Sequence, residues 1–501
     1  MFLKPNYQDI KTIGYYLGKI IFGLGLLETI PLIFGIFVGE FNPALDFVIA
    51  SLVAIIISLF LMHLCKTDQD LNWVQGMVVA SFSWIVAMFL SAIPLYLSGH
   101  YKSYLDCAFD MMSSFTTSGL TLVQDLDHLS MTTNLWRHFA MFIGGMGIVV
   151  MALTFLVKGS AGAFKIYVAE AREEKLLPNI IETSRFIVFI NMVYLVLGSL
   201  VLWVVGMHQG MPSFSAFFNG LLIFMAAFST GGFTPHSQSV LYYHSLSYEV
   251  ITIVILVIGS LNFNLHYAVW RLRRKEIITN IETRTFFITL LFTFFIVAAG
   301  LSKLGVYSGA MGLFRKGFYI LISGHTTTGF GTIYTRQFIN EWGNAALAGL
   351  IIAMGLGASA CSTGGGIKML RVGIIFQALK EDMKRMIVPE KAIIFQKFHH
   401  VKNILLEDKQ VRAVFLVTIS YIALYALGAV VGAFCGYPFL EALFESTSAA
   451  ANVGLSCGIT DTAMPVALKI TYIIQMWAGR LEFMSIFAIA GFLVAWVKGK
   501  R

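Results

Sequence analysis

Ten apolar stretches, each long enough to cross a bilayer, run near 13–39, 47–65, 73–98, 136–157, 186–206, 247–270, 285–303, 344–370, 412–434 and 466–497. They constrain this chain more than any other feature. In hydrocarbon every backbone polar group must be satisfied inside the protein, so only helices and closed barrels can span. Stretches of roughly 20 apolar residues fit helices. With 57% hydrophobic and 12% charged residues, against the roughly 25% charged of soluble domains, an ordinary soluble enzyme is excluded. The first stretch is not a cleavable leader, because it is too long, carries Glu28 and Pro31, and is followed by many further spans. The five cysteines have no metal-type spacing.

The net charge of +8 raises nucleic acid as a partner, but the basic residues cluster between spans. With the N-terminus inside, 25 of the 35 Lys and Arg fall in cytoplasmic segments and seven outside (Lys102, Arg137, Lys303, Arg315, Lys316, Arg336, Lys469), leaving Lys19, Lys368 and Arg480 at membrane depth. That bias predicts a multi-pass protein with both termini cytoplasmic, whose basic runs are orientation signals and bind no nucleic acid.

Between spans lie shorter apolar pieces with related endings: Thr116-Thr117-Ser118-Gly119-Leu120, Ser229-Thr230-Gly231-Gly232-Phe233, Thr326-Thr327-Thr328-Gly329-Phe330 and Ala451-Asn452-Val453-Gly454-Leu455. The aligned glycines are 113, 97 and 125 residues apart, enough for a span, a half-helix, a loop and a second span each time. One such ending is ordinary turn vocabulary. Four in register are not, because non-helical backbone at membrane depth needs burial in protein or a watery cavity. The pattern predicts four re-entrant loops converging on one pore, where carbonyl and hydroxyl oxygens replace the hydration shell of a monovalent cation. Half-helices aiming their C-terminal ends at the axis favour cations.

These residues resemble the Trk/Ktr/HKT superfamily of potassium transporters. The likeness extends to Trp136-Arg137, Ile143-Gly-Gly-Met-Gly147, Leu261-Asn-Phe-Asn-Leu-His266, Gly357-Ala-Ser-Ala-Cys-Ser-Thr-Gly-Gly-Gly366-Ile-Lys368 and Gly479-Arg480-Leu-Glu482. The spans before residue 66 resemble the Trk-type membrane subunit. The resemblance implies potassium selectivity, a homodimer, and gating by a separate cytosolic ring of nucleotide-binding (NAD or ATP type) subunits. It implies no bound cofactor, potassium being the substrate ion. His325 before the third loop, and Asn452 and Val453 in the fourth, depart from the commonest pattern.

Gly355 to Gly366 interrupts a span where a helix prefers Ala or Leu. One reading is close helix packing through small residues; the other is a broken helix forming an intramembrane gate, which the resemblance implies, with Gly357, Ser359, Gly364, Gly365 and Gly366 as gating residues. Gly364-Gly-Gly-Ile-Lys368 lacks the ending and preceding strand of a phosphate-binding loop, and Lys368 reads as marking that span's cytoplasmic return. Arg480, inside the last span, needs a partner, either the loop's carbonyls or an acid such as Glu482 or Glu445. The hypothesis is a movable electrostatic barrier below the filter. His266, Asn262 and Asn264 read as interhelical hydrogen-bond formers. Asp125, Asp127 and Asp461 are either mouth acids that concentrate cations or ordinary loop acids. The segment Arg172-Glu-Glu-Lys175 and the connection from Lys380 to Arg412 are candidate docking surfaces for the regulator.

The expectation is therefore an all-α polytopic membrane protein that is not an enzyme: an N-terminal two-helix unit (1–70) followed by four parallel repeats at 71–180, 181–280, 281–405 and 406–501 around a central pore. The expected function is potassium uptake across the cell membrane. The alternative is a sodium-permeable or weakly selective monovalent cation transporter. A carrier of organic solutes predicts inverted repeats, whereas these are parallel.

Overall fold

The computed structural model describes residues 6–147, 180–389 and 395–499. The second part of the stretch 136–157 and the segment Arg172–Lys175 lie outside them. The chain opens with α1 (Tyr7–Leu27) and α2 (Thr29–Val38), joined at Glu28, then α3 (Phe41–Leu64). Gly18 and Gly25 of α1 face α3, where a side chain would run into the Ser58 and Ser51 carbonyls. The hydroxyls of those serines donate to the Gly18 and Gly25 carbonyls at 2.8 and 2.7 Å. Small residues thus let two backbones meet where lipid offers no hydrophobic drive.

A series of outer helix, short helix, loop and inner helix then runs four times. The outer helices are α4 (Trp73–Leu97), α7 (Ile180–His208), α11 (Ile281–Leu304) and α15 (Asp408–Phe434). The short helices are α5 (Tyr104–Phe115), α8 (Ser213–Phe228), α12 (Tyr319–His325) and α16 (Phe439–Ala450). The inner helices are α6 (Met131–Met146), α9 (Leu246–Ser260), α13 (Gly343–Gly355) and α17 (Val466–Arg480). Beyond them come α10 (Phe263–Trp270), α14 (Met369–Ile387) and α18 (Met484–Lys498). Between α14 and α15, β1 (Lys397–His400) pairs antiparallel with β2 (Lys402–Leu405).

Local chemistry sets the starts. Asn72 and Gln75 exchange side-chain and backbone hydrogen bonds at 2.8 and 2.7 Å to open α4. Pro212, Pro438 and Pro465 stand at the caps of α8, α16 and α17, where a fixed φ stops any preceding helix.

Among the described residues none of the four inner stretches is one unbroken helix, a break that the glycine run foreshadows only in the third. The outer helices and the N-terminal helices are long and apolar enough to span, but α9 turns by 101° into α10 and α17 by 111° into α18. Helix α6 stops before Gly147 at φ +95°, and α13 stops at Gly355. Hydropathy sums apolar character over a window and is blind to backbone continuity, so a helix and a bent loop of equal apolarity look alike. Large apolar side chains cover the outer helices, including Val196 and Leu197 on α7, Phe292 and Phe295 on α11, and Leu416 and Ile419 on α15, all exposed. A water-soluble protein would bury such a belt; a bilayer accepts it.

Candidate ion filter and inner loop

Each short helix ends at one backbone turn. The residue after it has φ near −80° and ψ near 0° (Thr116 −79°, 0°; Ser229 −74°, 0°; Thr326 −80°, 0°; Ala451 −89°, 1°). The next is left-handed, at φ +56° for Thr117, +51° for Thr230, +57° for Thr327 and +56° for Asn452. The fourth is a left-handed glycine: Gly119 at +77°, Gly232 at +78°, Gly329 at +85° and Gly454 at +95°. A threonine held left-handed is strained by roughly 1–2 kcal/mol, so three of them with Asn452 in the fourth place, each buried, mark a site the surrounding structure enforces.

The four glycines close a ring. A side chain at Gly119 would run into the Gly231 carbonyl, at Gly232 into that of Thr328, at Gly329 into that of Val453, and at Gly454 into that of Ser118. Each loop thus leans on the third residue of the next, and the fourth returns to the first. Only glycine admits this approach. The ring sets carbonyl oxygens of all four loops around one axis, with the C-terminal ends of α5, α8, α12 and α16 against it.

Hydroxyls hold the loops from behind. Thr116 and Ser229 donate to the carbonyls of Met112 and Met225 at 2.6 Å, and Thr326 to that of Ile322 at 2.8 Å. Thr116 pairs with Ser118 at 2.8 Å and Thr326 with Thr328 at 2.9 Å, while Asn452 donates to Ser118 across the interface of the fourth and first loops at 2.8 Å. The fourth loop lacks hydroxyls, and its amide supplies the cross-link instead.

On the side away from the glycine ring, the segment 356–368 fills the axis. It begins where α13 stops: the amide of Gly357 donates to Ile367 at 2.9 Å and that of Ile367 to Gly355 at 3.1 Å, pinching the segment into a loop. Of the two readings of this glycine run, the broken helix is the one present. Gly357 lies against the Gly365 carbonyl, with no room for a Cβ. The amide of Ser359 donates to Ser260 at 3.0 Å and that of Ala360 to Glu282 at 2.6 Å, anchoring the loop to α9 and α11.

The loop's tip meets the left-handed residues of the four turns. Thr363 pairs with Thr230 at 3.1 Å and receives Thr117 on its carbonyl at 3.5 Å; the Gly365 amide donates to Thr327 at 3.0 Å. Side chains at Gly364 or Gly365 would strike Thr327 or Asn452. Arg480 donates to the Thr363 carbonyl at 2.5 Å and to those of Gly144 and Gly145 at 2.5 and 3.2 Å. Of the partners considered, the loop carbonyls are present; Glu445 lies on the mouth side, and Glu482 pairs with Arg371. Lys368 does not simply mark a return to solvent. It is buried, donates to the Gly364 carbonyl and faces Glu482 at 3.7 Å.

Above the glycines opens a cavity whose lining includes Gly119, Gly232, Gly329 and Gly454, with Thr121, Arg137, Phe233, His236 and Thr460. No Asp or Glu is among the described residues lining it. Asp127 accepts from the Ser237 amide at 3.1 Å and from its hydroxyl, and Asp125 pairs with His128 at 2.8 Å. Burial pushes the Asp127 carboxyl up, but the bonds from Ser237 and His236 outweigh it and hold its pKa below the ordinary value. These are loop-fastening acids. His266 bonds Ile258 at 3.1 Å and Tyr194 at 3.4 Å, as expected of an interhelical tie.

A family model described as a TrkH cation transport protein matches residues 44–493. The chain belongs to the TrkH family. It is a cation transporter and not an enzyme, and with its spanning helices a multi-pass membrane protein. An uncharacterized cation transporter of Methanocaldococcus jannaschii is 30% identical over 96% of this chain and 95% of its own. The Trk system potassium uptake protein TrkG of Escherichia coli is 28% identical over 83% of this chain and 84% of its own. The crystal structure of the potassium transporter TrkH from Vibrio parahaemolyticus, 23% identical, shares the fold with a TM-score of 0.79 over 96% of this chain and 98% of that one.

All four aligned endings meet in this TrkH-family ring, and the glycine-rich run and Arg480 lie directly beneath it. Three contacts go beyond the motifs that the sequence shows. Thr363 stands in the sequence only as part of a run, and although Trp136-Arg137 is a motif, nothing in it points to Asp110, 27 residues earlier, as the partner of Arg137. Gly144, Gly259 and Gly479 receive the last carbonyls of α5, α8 and α16 (Phe115, Phe228, Ala450). Gly259 stands one repeat after Gly144, and Gly479 two repeats after Gly259, a recurrence visible in the sequence.

Proposed function

We propose that the chain carries potassium across the cell membrane through the ring of four loops, with 356–368 as its gate and Arg480 as the gate's electrostatic bolt. The observation that carries the reading is the closed glycine ring, since carbonyls of four converging loops are suited to replacing a monovalent cation's hydration shell. The named function of relatives such as the potassium uptake protein of Escherichia coli supports potassium as that cation.

The filter is formed by Thr116 to Gly119, Ser229 to Gly232, Thr326 to Gly329 and Ala451 to Gly454; the gate by Gly357, Ser359, Gly364, Gly365 and Gly366. Five charges meet at the gate, Arg480, Lys368, Arg371, Glu482 and Glu282, so a small shift of the helices carrying them reorganises the loop. The chain is placed in the cell membrane with both termini cytoplasmic, as a homodimer, under a cytosolic nucleotide-binding ring. Four units divide the pore, at 71–180, 181–280, 281–405 and 406–501, after an N-terminal pair of helices at 1–70.

The test is rubidium or potassium flux into proteoliposomes with sodium as competitor, alongside Gly119→Ser and Gly329→Ser. Potassium-preferring flux that the glycine changes relax supports the filter. Equal sodium flux replaces it with a weakly selective cation pathway. No flux of either ion, with or without the regulator, overturns it.

A further inference from the structure

Four strained turns must be braced from outside, and the braces are not alike. The segment after the fourth glycine wraps one carboxylate: Glu445 accepts from the amides of Cys457 (2.9 Å), Gly458 (3.2 Å) and Ile459 (3.2 Å) and from the hydroxyls of Ser456 (2.5 Å) and Thr460 (2.8 Å). The segment after the third is tied to neutral groups, the Gly331 amide donating to Ser239 at 3.0 Å and the Thr332 hydroxyl to the Arg315 carbonyl at 2.8 Å.

Between the first and second loops lies an ion pair. Asp110 stands six residues before Thr116, as Glu445 stands six before Ala451. Arg137 donates to it from Nε at 2.7 Å and from Nη2 at 3.4 Å, and both side chains are fully buried. Asp110 also accepts from Tyr101 at 2.9 Å and from Thr121. Arg137 accounts for its remaining directions: Nη2 to Thr121 at 2.8 Å, Nη1 to Asn134 at 3.5 Å, and its guanidinium plane 4.2 Å from the centre of the Phe233 ring.

Those last contacts decide the role. Thr121 is two residues beyond Gly119, and Phe233 directly follows Gly232. One planar guanidinium therefore grips the exits of two neighbouring filter loops at once, held in register by a carboxylate on the first short helix. Asn134, a turn before Arg137, reaches the same second loop at the Pro235 carbonyl, 3.4 Å away. A cation lining the mouth of a cation pathway would repel what it admits; paired with Asp110 it adds no net charge there. A fork with five donors can hold carboxylate, hydroxyl and ring together, which a lysine cannot.

We propose that the Asp110–Arg137 pair is a positioning element for selectivity, fixing the spacing of the first and second filter loops through Thr121 and Phe233 while cancelling its own charge at the pore mouth. The inference rests on the filter reading above. The carboxylate and the guanidinium then have separable consequences: losing Asp110 alone leaves a bare charge, and losing both leaves a neutral but loosened mouth.

The test compares wild type, Asp110→Asn, the double variant Asp110→Asn/Arg137→Gln, and Phe233→Leu, each reconstituted as the full chain after size-exclusion shows it monodisperse. Potassium and sodium fluxes are measured at low and high concentrations of an impermeant salt. Asp110→Asn is expected to depress cation flux, and raising the salt is expected to restore it only in part, because a buried guanidinium is screened far less than an exposed one. The double variant is expected to regain flux without that salt dependence, yet to lose potassium preference by roughly tenfold, the scale of coupling between contacting groups. Phe233→Leu keeps the ion pair and should shift the ratio in the same direction by less. A potassium preference that stays at the wild-type ratio in both the double variant and Phe233→Leu overturns the positioning role. Wild type that does not distinguish the two ions overturns the filter reading itself, a result visible before any variant is compared.

Discussion

At the residue scale the ring of four loops depends on backbone angles that side chains rarely adopt. Gly329 stands at φ +85° with the Val453 carbonyl where its Cβ would be. Gly329→Ala adds roughly 1–2 kcal/mol of left-handed strain, and more from the clash. The loop is expected to move, lowering the potassium-to-sodium flux ratio while the protein still folds. Glu445 offers a second case. In Glu445→Ala the buried amides of Cys457 and Ile459 lose their acceptor, at about 1–3 kcal/mol for each left unsatisfied, along with the half-buried hydroxyls of Ser456 and Thr460. Thermal unfolding in detergent is expected to fall by several degrees, and an unchanged midpoint would show that water replaces the carboxylate without loss. The glycines were legible in the sequence because a positive φ leaves few alternatives. Asp110 and Arg137 were not, because an ion pair is a property of two positions, and no spacing rule joins residues on different helices of one repeat.

At the scale of elements, helices were readable and their interruptions only partly so. Gly355 to Gly366 announced its break through composition, whereas the turn at Glu482 and Phe483, with φ +51° and +70°, sits between two apolar helices and shows in composition only as the charged residues Arg480 and Glu482. The consequence is functional. Because α17 ends at Arg480, its guanidinium emerges at a helix terminus against the Thr363 carbonyl, and not from the side of a continuous span. Arg480→Ala is expected to raise unregulated potassium flux several-fold and to weaken control by the regulator; flux and control both unchanged would remove the bolt from the mechanism.

The small sheet lies against the acid that anchors the loop 356–368. His399 bonds Asn403 at 2.9 Å and Glu276 at 3.1 Å, and His400 lies 3.3 Å from Asn280 and 3.9 Å from Glu282, the acid that holds the Ala360 amide. Hydrogen bonds to Asn403 and then Glu276 raise the His399 pKa above its ordinary 6.5. A raised folded value means the contact stabilises fully below that ordinary value and is lost as pH rises through the folded one. Hydrogen exchange in 397–405 should accordingly quicken as pH rises through that window, beyond the intrinsic base-catalysed increase, and His399→Gln should abolish the excess.

For the whole molecule, the fourfold plan could be read from sequence because repeats restate it, and the order of the ring follows chain order. What repetition hides is the asymmetry laid over it, in braces, in hydroxyl count and in which inner helix runs into the loop 356–368. Orientation is the molecular property that charge alone argues. Of the seven basic residues assigned outside, Arg137 and Lys469 are buried in ion pairs with Asp110 and Asp106, which leaves five to face water there. Burying those two strengthens the bias, since only charges in loops weigh on insertion. Lys102 and Lys402 are exposed on segments that the reading assigns to opposite sides. In a background without Cys65, Cys361 and Cys435, where the remaining Cys107 and Cys457 are buried, Lys102→Cys should react with an impermeant maleimide on intact cells, and Lys402→Cys only after permeabilisation. The reverse pattern would turn the molecule over. The mouth above the glycines would then face the cytoplasm, and Arg480 would close the pathway from outside, where no cytosolic ring could reach it.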